Sequence, residues 1–166
     1  MSTLPELLHP AVRRRLEALG VDFDVMECDP ALADTAAFVA HYGVPIERSA
    51  NTIVVASKGA QPAYVACVLL ATTSLDVNNV VRREMGVRKA SFAGADPVRE
   101  LTGMEIGGVT PFGLPDGMDV LVDPTVMEPE WIVLGGGNRS SKLRLAPESL
   151  RRLPALRVVD GLASPR

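Results

Sequence analysis

Two glycine-rich segments contain the residues whose types and spacing could do chemistry. One is Gly-Gly-Val-Thr-Pro-Phe-Gly at residues 107–113, and the other is Gly-Gly-Gly-Asn-Arg at residues 135–139. Glycine permits positive φ and lets a ligand approach main-chain N–H groups closely, so such loops can hold a developing oxyanion or a phosphate. Glycine-rich turns are more often structural, and neither segment has the spacing of a P-loop or a dinucleotide fingerprint. Each loop is therefore a candidate site that needs support from the rest of the chain.

Other kinds of active site have little support. His9 and His41 lie far apart without a cluster of cysteines or carboxylates, so we expect no metal and no other cofactor. The serine-hydrolase pattern Gly-x-Ser-x-Gly is absent. Cys67 lies inside an apolar run, where a small buried thiol is the better interpretation than a nucleophile.

Length and charge restrict the function classes further. The chain has 166 residues, which predicts one domain spanning residues 1–166. A net charge of -3 excludes a global basic attraction to nucleic acid, so a polyanion would have to be held by a local patch. Two cysteines without a Cys-x-x-Cys spacing and a polar start without an export signal predict a reducing, cytoplasmic setting. No segment is apolar for long enough to predict a membrane span.

Hydrophobic periodicity and turn residues predict the elements that must position these loops. Helices are predicted at residues 5–19, from Asp34 or Thr35 to Gly43, at residues 76–86, from Asp96, and at residues 147–153. Strands are predicted at residues 21–25, 52–56, 63–70, 120–122, 131–134 and 143–145, with a hairpin turn at residues 58–62. This mixed order predicts an α/β (mixed) fold with a mostly antiparallel sheet, rather than a regular βαβ array.

Several motifs follow one another along nearly the whole chain. Asp-Pro-Ala at residues 29–31 precedes Thr35 and Phe38, and Asn-Thr-Ile-Val-Val-Ala follows at residues 51–56. The glycine-proline loop comes next, and Gly-Gly-Asn-Arg at residues 136–139 precedes Leu-Arg-Leu. In this order the motifs resemble the YbaK/prolyl-tRNA-synthetase-associated family of editing domains. The resemblance implies a single-domain YbaK-like fold, with a mostly antiparallel sheet that forms a barrel-like core surrounded by short helices.

The resemblance also implies an activity and a site. The activity is trans-editing, the hydrolysis of a mismatched small amino acid from tRNA without any metal. Main-chain groups near Gly107 and Gly108 would position the ester carbonyl and the attacking water, and Asn51 occupies the position of a further catalytic residue. The substrate-binding residues that it implies are Thr35, Phe38, Ile53, Val55, Thr110, Pro111, Gly136, Gly137, Arg139 and Lys142. The implied partners are mischarged tRNA and an aminoacyl-tRNA synthetase, with no membrane and no DNA.

Two positions depart from the family pattern. Asn51 stands where the family has a lysine, and the family's C-terminal aspartate falls near Lys142. Loss of a cation beside the scissile ester could cost a few kcal/mol of transition-state stabilisation. Lys142 could supply that charge from the opposite wall of the pocket, or it could be an ordinary solvated lysine. The alternative function is therefore a non-catalytic relative that binds tRNA or an aminoacyl-like small molecule. A general small-molecule hydrolase is a third interpretation with less support.

Basic residues are scattered along several predicted helices. They are Arg13, Arg14, Arg15, Arg82, Arg83, Arg88, Lys89, Arg151 and Arg152. They could converge into a patch for the tRNA acceptor stem, or they could be solvated helix faces.

Overall fold

The computed structural model describes residues 4–166 and shows a mixed α/β fold. The helices are α1 (Pro10–Leu19), α2 (Thr35–Tyr42), α3 (Arg82–Met85) and α4 (Ala95–Thr102). The strands are β1 (Asp24–Glu27), β2 (Ala50–Ser57), β3 (Tyr64–Leu70), β4 (Thr73–Leu75), β5 (Ala90–Phe92), β6 (Val120–Val122), β7 (Ile132–Gly135), β8 (Ser141–Leu145), β9 (Leu156–Val158) and β10 (Ala163–Pro165). Within these residues no helix is both long and apolar enough to cross a membrane.

The strands form three sheets. The largest has the order β5-β2-β3-β6-β9, the second has the order β1-β8-β7, and β10 pairs with β4. Pairing is antiparallel except at β3-β6 and β6-β9. A single parallel bridge from Ser49 to Val133 joins the start of β2 to β7. No closed barrel forms within residues 4–166, so the expected barrel-like core is not confirmed.

Most of the core lies between the two larger sheets. Val68 and Val122 from one sheet and Leu134 and Leu143 from the other belong to one buried cluster, which α1 covers with Leu16. A second cluster, which includes Val55, Cys67 and Leu121, packs Val81 against the large sheet. A third, smaller cluster surrounds Phe38 of α2. The helix α2 is thereby held beside the junction of the two larger sheets.

Two of the predicted N-terminal elements differ in their bounds. The helix predicted at residues 5–19 is a 3₁₀ turn at Pro5–Leu7 followed by α1, because Pro10 has no N–H to continue a helix and suits its first position. His9 caps α1 by accepting a hydrogen bond of 3.1 Å from Ala11 N–H. The strand predicted at residues 21–25 is β1, which begins at Asp24 where pairing with β8 begins.

Other predicted elements also change in type or extent. The helix predicted at residues 76–86 is a π-helical turn at Val77–Val81 that continues as α3, and the one predicted at residues 147–153 is a 3₁₀ helix at Pro147–Arg152. Asp96 lies inside α4, and Gly94 takes the cap position. The short strands β4, β5, β9 and β10 had no counterpart in the sequence prediction, since three-residue strands are defined by their partners.

Candidate active site

A cavity of about 290 Å³ lies where β2, the start of α2, the glycine-proline loop and the β7–β8 hairpin meet. Six of the residues that the sequence put at the site line it: Thr35, Phe38, Asn51, Ile53, Gly107 and Lys142. The rest of the lining is largely apolar and includes Val54, Val98, Ile106, Val109, Val133 and Leu134. A small apolar chamber with a few polar groups is the usual form of a small-ligand site.

Lys142 is the cation in the wall of this cavity. Strand β8 runs between β1 and β7, and it places Lys142 opposite Met26 on one side and Gly135 on the other. The residue is only 7% exposed, so the interpretation as a solvated lysine is wrong. Its Nζ donates hydrogen bonds to the carbonyls of Ala33 at 2.7 Å and Gly107 at 2.8 Å. The ammonium therefore connects the loop before α2 to the glycine-proline loop.

Burial sets the charge properties of Lys142. Removal of the ammonium from water lowers its pKa from the ordinary value, and the nearby Arg139 guanidinium lowers it too, whereas Cys28 and Asp34 oppose the shift. Within residues 4–166 no carboxylate lies within salt-bridge distance of its Nζ. Two carbonyls use two of its three N–H donors, so one donor has no hydrogen-bond acceptor among residues 4–166.

Asn51 lies in the wall of the same cavity. The hydroxyl of Thr35 at the start of α2 donates a hydrogen bond of 2.7 Å to Asn51 Oδ1. This contact fixes the orientation of the Asn51 side-chain amide. The Asn51 Nδ2 donates no hydrogen bond within residues 4–166. Strand β5 pairs with β2 only at residues 55–57, so β5 does not cover residues 51–53 of β2, which line the cavity.

The glycine-proline loop presents Gly107, but not Gly108, to the cavity. Gly107 has φ +90°, and a Cβ there would collide with the Arg139 guanidinium. Its N–H donates no hydrogen bond to any residue in 4–166. Both main-chain groups of Gly108 are used internally: its N–H donates to Glu105 O at 2.9 Å, and its carbonyl accepts from Gly137 N–H at 2.6 Å. Gly108 thus ties the two glycine segments together and does not line the cavity.

Arg139 lies behind the loop and holds three segments together. Its Nε donates to Pro30 O at 2.9 Å, and its Nη1 donates to Ile106 O at 2.8 Å. The same Nη1 is 3.2 Å from the Asp34 carboxylate, and the Arg139 side chain is 27% exposed. Arg139 therefore supports the cavity wall without lining it.

Four further predicted site residues lie outside the cavity lining. Thr110 and Pro111 are buried at the start of a 3₁₀ turn, Pro111–Gly113, that packs on α1. Gly136 and Gly137 are sites of close packing, because a Cβ would meet Ser141 at the first and His9 at the second. Glycine at position 136 allows the β7–β8 hairpin to close tightly at Ser141, and glycine at position 137 allows the hairpin to approach His9.

Val55 is another predicted site residue that does not line the cavity. It is fully buried in the core cluster with Cys67, where it packs and does not face the cavity.

Several lining residues escaped the sequence analysis. Thr52 and Ile106 adjoin predicted site residues, and that adjacency was the available signal. The Thr52 hydroxyl is buried and has no hydrogen-bond partner within residues 4–166. Ala93 and Val98 belong to β5–α4, where no motif pointed to the site. In the described part of the chain no group of three or more His, Cys, Asp or Glu residues could hold a metal ion.

The fold and the cavity define an α/β domain with a small cavity beside a glycine-proline loop, and a buried lysine and a hydrogen-bonded amide lie in the cavity walls. Residues 29–153 match the aminoacyl-tRNA editing domain family, so the chain belongs to that family. The resemblance drawn from the motif order is thereby confirmed.

Other proteins are similar to this chain in sequence or in fold. The uncharacterized protein YwhH of Bacillus subtilis (strain 168) is 27% identical over 140 residues, which cover 84% of this chain and 87% of YwhH. A crystal structure of a protein provisionally named as a trans-editing enzyme for prolyl tRNA synthetase is similar in fold, with a TM-score of 0.77, 24% identity, and coverage of 92% of this chain and 97% of that one. The structure of hypothetical protein APE2540 has a TM-score of 0.81, 24% identity, and coverage of 93% and 99%.

Proposed function

We propose that this protein is a trans-editing hydrolase that removes a mischarged small amino acid from tRNA. The observation that carries the proposal is the buried Lys142 ammonium, which lines the same cavity as Asn51 and is hydrogen-bonded to Gly107. A cation is therefore available in the cavity from β8, and in this proposal it takes over the role of the lysine that the family pattern puts at position 51. The chain acts as one domain over residues 1–166, and it works in the cytoplasm.

Hydrolysis of the aminoacyl ester needs an attacking water and hydrogen-bond donors that stabilise the negative charge on the carbonyl oxygen. The water oxygen attacks the ester carbonyl carbon, and the carbonyl oxygen becomes an oxyanion. The bond to the ribose oxygen then breaks, this oxygen takes up the proton that the attacking water has lost and becomes a hydroxyl, and free amino acid and tRNA leave. The free Gly107 N–H and the third N–H of Lys142 are the donors available to the oxyanion, and donors fixed before the reaction stabilise it strongly.

The other walls would bind and orient the aminoacyl group. Asn51 Nδ2 is held by the Thr35 contact, so it can donate to the substrate at a fixed position. Phe38 and Ile53 provide apolar surface for a side chain. A volume of about 290 Å³ lies at the small end of ligand pockets, roughly 300–1,000 Å³, which favours a small amino acid.

A non-catalytic role is the second candidate, and Asn51 is the observation that favours it. In this alternative the cavity binds an aminoacyl group or an aminoacyl-like small molecule and holds the tRNA without hydrolysis. The two candidates predict the same binding but different turnover. An aminoacyl-tRNA synthetase is a proposed partner in either case, as the source of the mischarged tRNA.

Single-turnover deacylation of alanyl-, seryl- and cysteinyl-tRNA, each on cognate and non-cognate tRNA, tests the proposal. We expect wild type to hydrolyse at least one mischarged tRNA, and Lys142→Met to lose that activity while remaining folded. Arg157→Met, which removes an exposed cation on β9 that pairs with Glu84, is the matched control and should keep wild-type rates. Binding of the mischarged tRNA without turnover by wild type would instead establish the non-catalytic role.

A further inference from the structure

The edge strand β5 leads from the cavity to a group of unpaired cations. Ala93, immediately after β5, lines the cavity, and its N–H donates to Val54 O at 2.9 Å. Lys89 lies immediately before β5, and its carbonyl accepts from Lys58 N–H at 3.1 Å. At about 3.3 Å per residue, the distance from Ala93 to Lys89 is roughly 13 Å, which a few nucleotides can span.

The cations at this end share one surface depression. Lys58, Arg88 and Lys89 line it, and all three are exposed. Within residues 4–166 none of the three forms an ion pair. Several of the other arginines that could have built a patch are engaged elsewhere: Arg13 with Glu17, Arg15 with Asp116, Arg151 with Glu148, and Arg152 with Leu19 O. Positive charge that is free for a polyanion is thus available next to β5.

Along β5, an exposed aromatic residue comes between the cations and the residue that lines the cavity. Phe92, the last residue of β5, is 60% exposed. At the cavity itself Ile106 is 44% exposed. Lysines on an edge strand also serve to block unwanted strand pairing, but that role does not account for a large exposed aromatic side chain. Exposed aromatics beside basic grooves are the usual platform for unpaired bases, which stack on them.

We propose that β5 and the adjoining Lys58, Arg88 and Lys89 bind the single-stranded 3′ end of the tRNA, with a base stacked on Phe92 and phosphates on the cations. This proposal rests on the proposed function, because it brings the terminal ribose to the cavity. The β5 track, meaning Lys58 and residues 88–92, therefore recognises unpaired RNA next to the aminoacyl site.

The experiment measures binding, so that it stays separate from hydrolysis. The probe is an uncharged RNA hairpin that carries an acceptor stem and its single-stranded 3′ nucleotides, with 2-aminopurine in place of the terminal adenine. A blunt hairpin without the single-stranded nucleotides is the RNA control. Fluorescence anisotropy gives the affinity, and 2-aminopurine quenching reports base stacking.

We expect Phe92→Ala to weaken binding of the overhanging hairpin by about 5- to 100-fold, the range for loss of one stacked base. Quenching should fall in Phe92→Ala and be retained in Phe92→Tyr. Ile46→Ala, which removes another exposed apolar side chain, is the protein control and should bind like wild type. Lys89→Ala should reduce the slope of log affinity against log salt by about 0.7, the value for one single-strand phosphate contact. Arg157→Ala, on β9 at the opposite edge of the large sheet, should leave the slope unchanged.

Two results would overturn the β5 track. One is equal affinity of wild type for the blunt and overhanging hairpins, and the other is the same affinity in Phe92→Ala and Ile46→Ala. A protein that binds through Phe92 but hydrolyses no mischarged tRNA supports the track and contradicts the proposed hydrolase. A protein that hydrolyses while Phe92→Ala binds normally contradicts the track alone.

Discussion

Lys142 Nζ donates a hydrogen bond of 2.8 Å to the carbonyl of Gly107, and this contact joins the two parts of the cavity that the proposed reaction needs. One is the Lys142 cation, and the other is the glycine-proline loop, whose Gly107 lines the cavity. The second Lys142 hydrogen bond, to Ala33, connects the same ammonium to the segment that precedes α2. Removal of the ammonium should therefore affect charge and loop position together.

Lys142→Met tests the cation while preserving much of the side-chain volume. We expect the single-turnover deacylation rate to fall by about 10²- to 10³-fold, the usual loss for one oxyanion donor. The carbonyls of Ala33 and Gly107 lose a donor, but the protein no longer buries a charge, so thermal unfolding should still show a folded protein. A folded Lys142→Met protein with the wild-type rate would exclude Lys142 from the reaction.

Gly107→Ala tests the loop, and Gly117→Ala is its matched control. Both glycines have positive φ, +90° and +85°, so alanine at either should cost about 1–2 kcal/mol of stability from the backbone alone. Only at Gly107 would the new Cβ collide with Arg139, whereas at Gly117 nothing lies within 4 Å. We therefore expect deacylation to be lost in Gly107→Ala and kept in Gly117→Ala, with denaturant unfolding to measure stability. Equal activity in the two variants would contradict the assignment of Gly107.

The sequence predicted some of these features because they are local. The hairpin of β2 and β3 follows from two apolar runs separated by a Gly- and Pro-containing turn, and strand β6 was predicted with its observed bounds. The positive φ of Gly107 lies within a motif whose role in a loop was predicted. Residue type and short-range pattern were sufficient in these cases.

Features that depend on distant partners could not be predicted in the same way. Lys142 is buried because β8 is the central strand of its sheet and because the Ala33 and Gly107 carbonyls meet it there. Nothing near Lys142 in the sequence distinguishes it from a solvated lysine. Val55 was expected at the site on the basis of its strand, but it belongs to a separate core cluster. Tertiary pairing decides such positions.

The lowered pKa of Lys142 predicts a pH dependence of stability. While the ammonium stays charged, the folded state bears the cost of its burial, and that cost disappears as pH rises from the folded-state pKa toward the ordinary value of 10.5. The free energy of unfolding of wild type should therefore rise, relative to Lys142→Met, over that alkaline range.

Paired urea titrations at a series of pH values would measure this difference. Comparison of the two proteins is needed because burial raises the pKa of Cys67 to about 12, so the unfolded thiol ionises first and lowers stability in both. A difference that is flat with pH would show that the Lys142 ammonium bears no burial cost.

Arg139→Ala tests the support behind the cavity. The change removes side-chain hydrogen bonds to Pro30 and Ile106 and the contact with Asp34, and we expect destabilisation of about 1–3 kcal/mol. The Michaelis constant should rise as the loop loses its position. Arg151→Ala, which removes an exposed ion pair with Glu148, should cost less than about 1 kcal/mol and leave kinetics unchanged. Similar kinetics in both variants would assign Arg139 no part in positioning the loop.

Asn51 and Lys142 together test whether the charge has been relocated within the cavity. Asn51→Lys alone puts a second ammonium into the cavity and removes the acceptor of the Thr35 hydroxyl, so we expect activity to fall. Lys142→Asp alone places a carboxylate beside the Ala33 and Gly107 carbonyls, and activity should fall there too. The double variant has the lysine and aspartate of the family pattern, with opposite charges in one cavity.

A double-mutant cycle on the single-turnover rates measures the coupling between the two positions. We expect the double variant to be faster than the product of the two single effects predicts, by about 0.5–3 kcal/mol of coupling free energy. Coupling of that size would mean that the two walls share one electrostatic task, which this chain carries out with Lys142. Additive losses would mean that positions 51 and 142 act independently, and that Lys142 does not replace the family lysine.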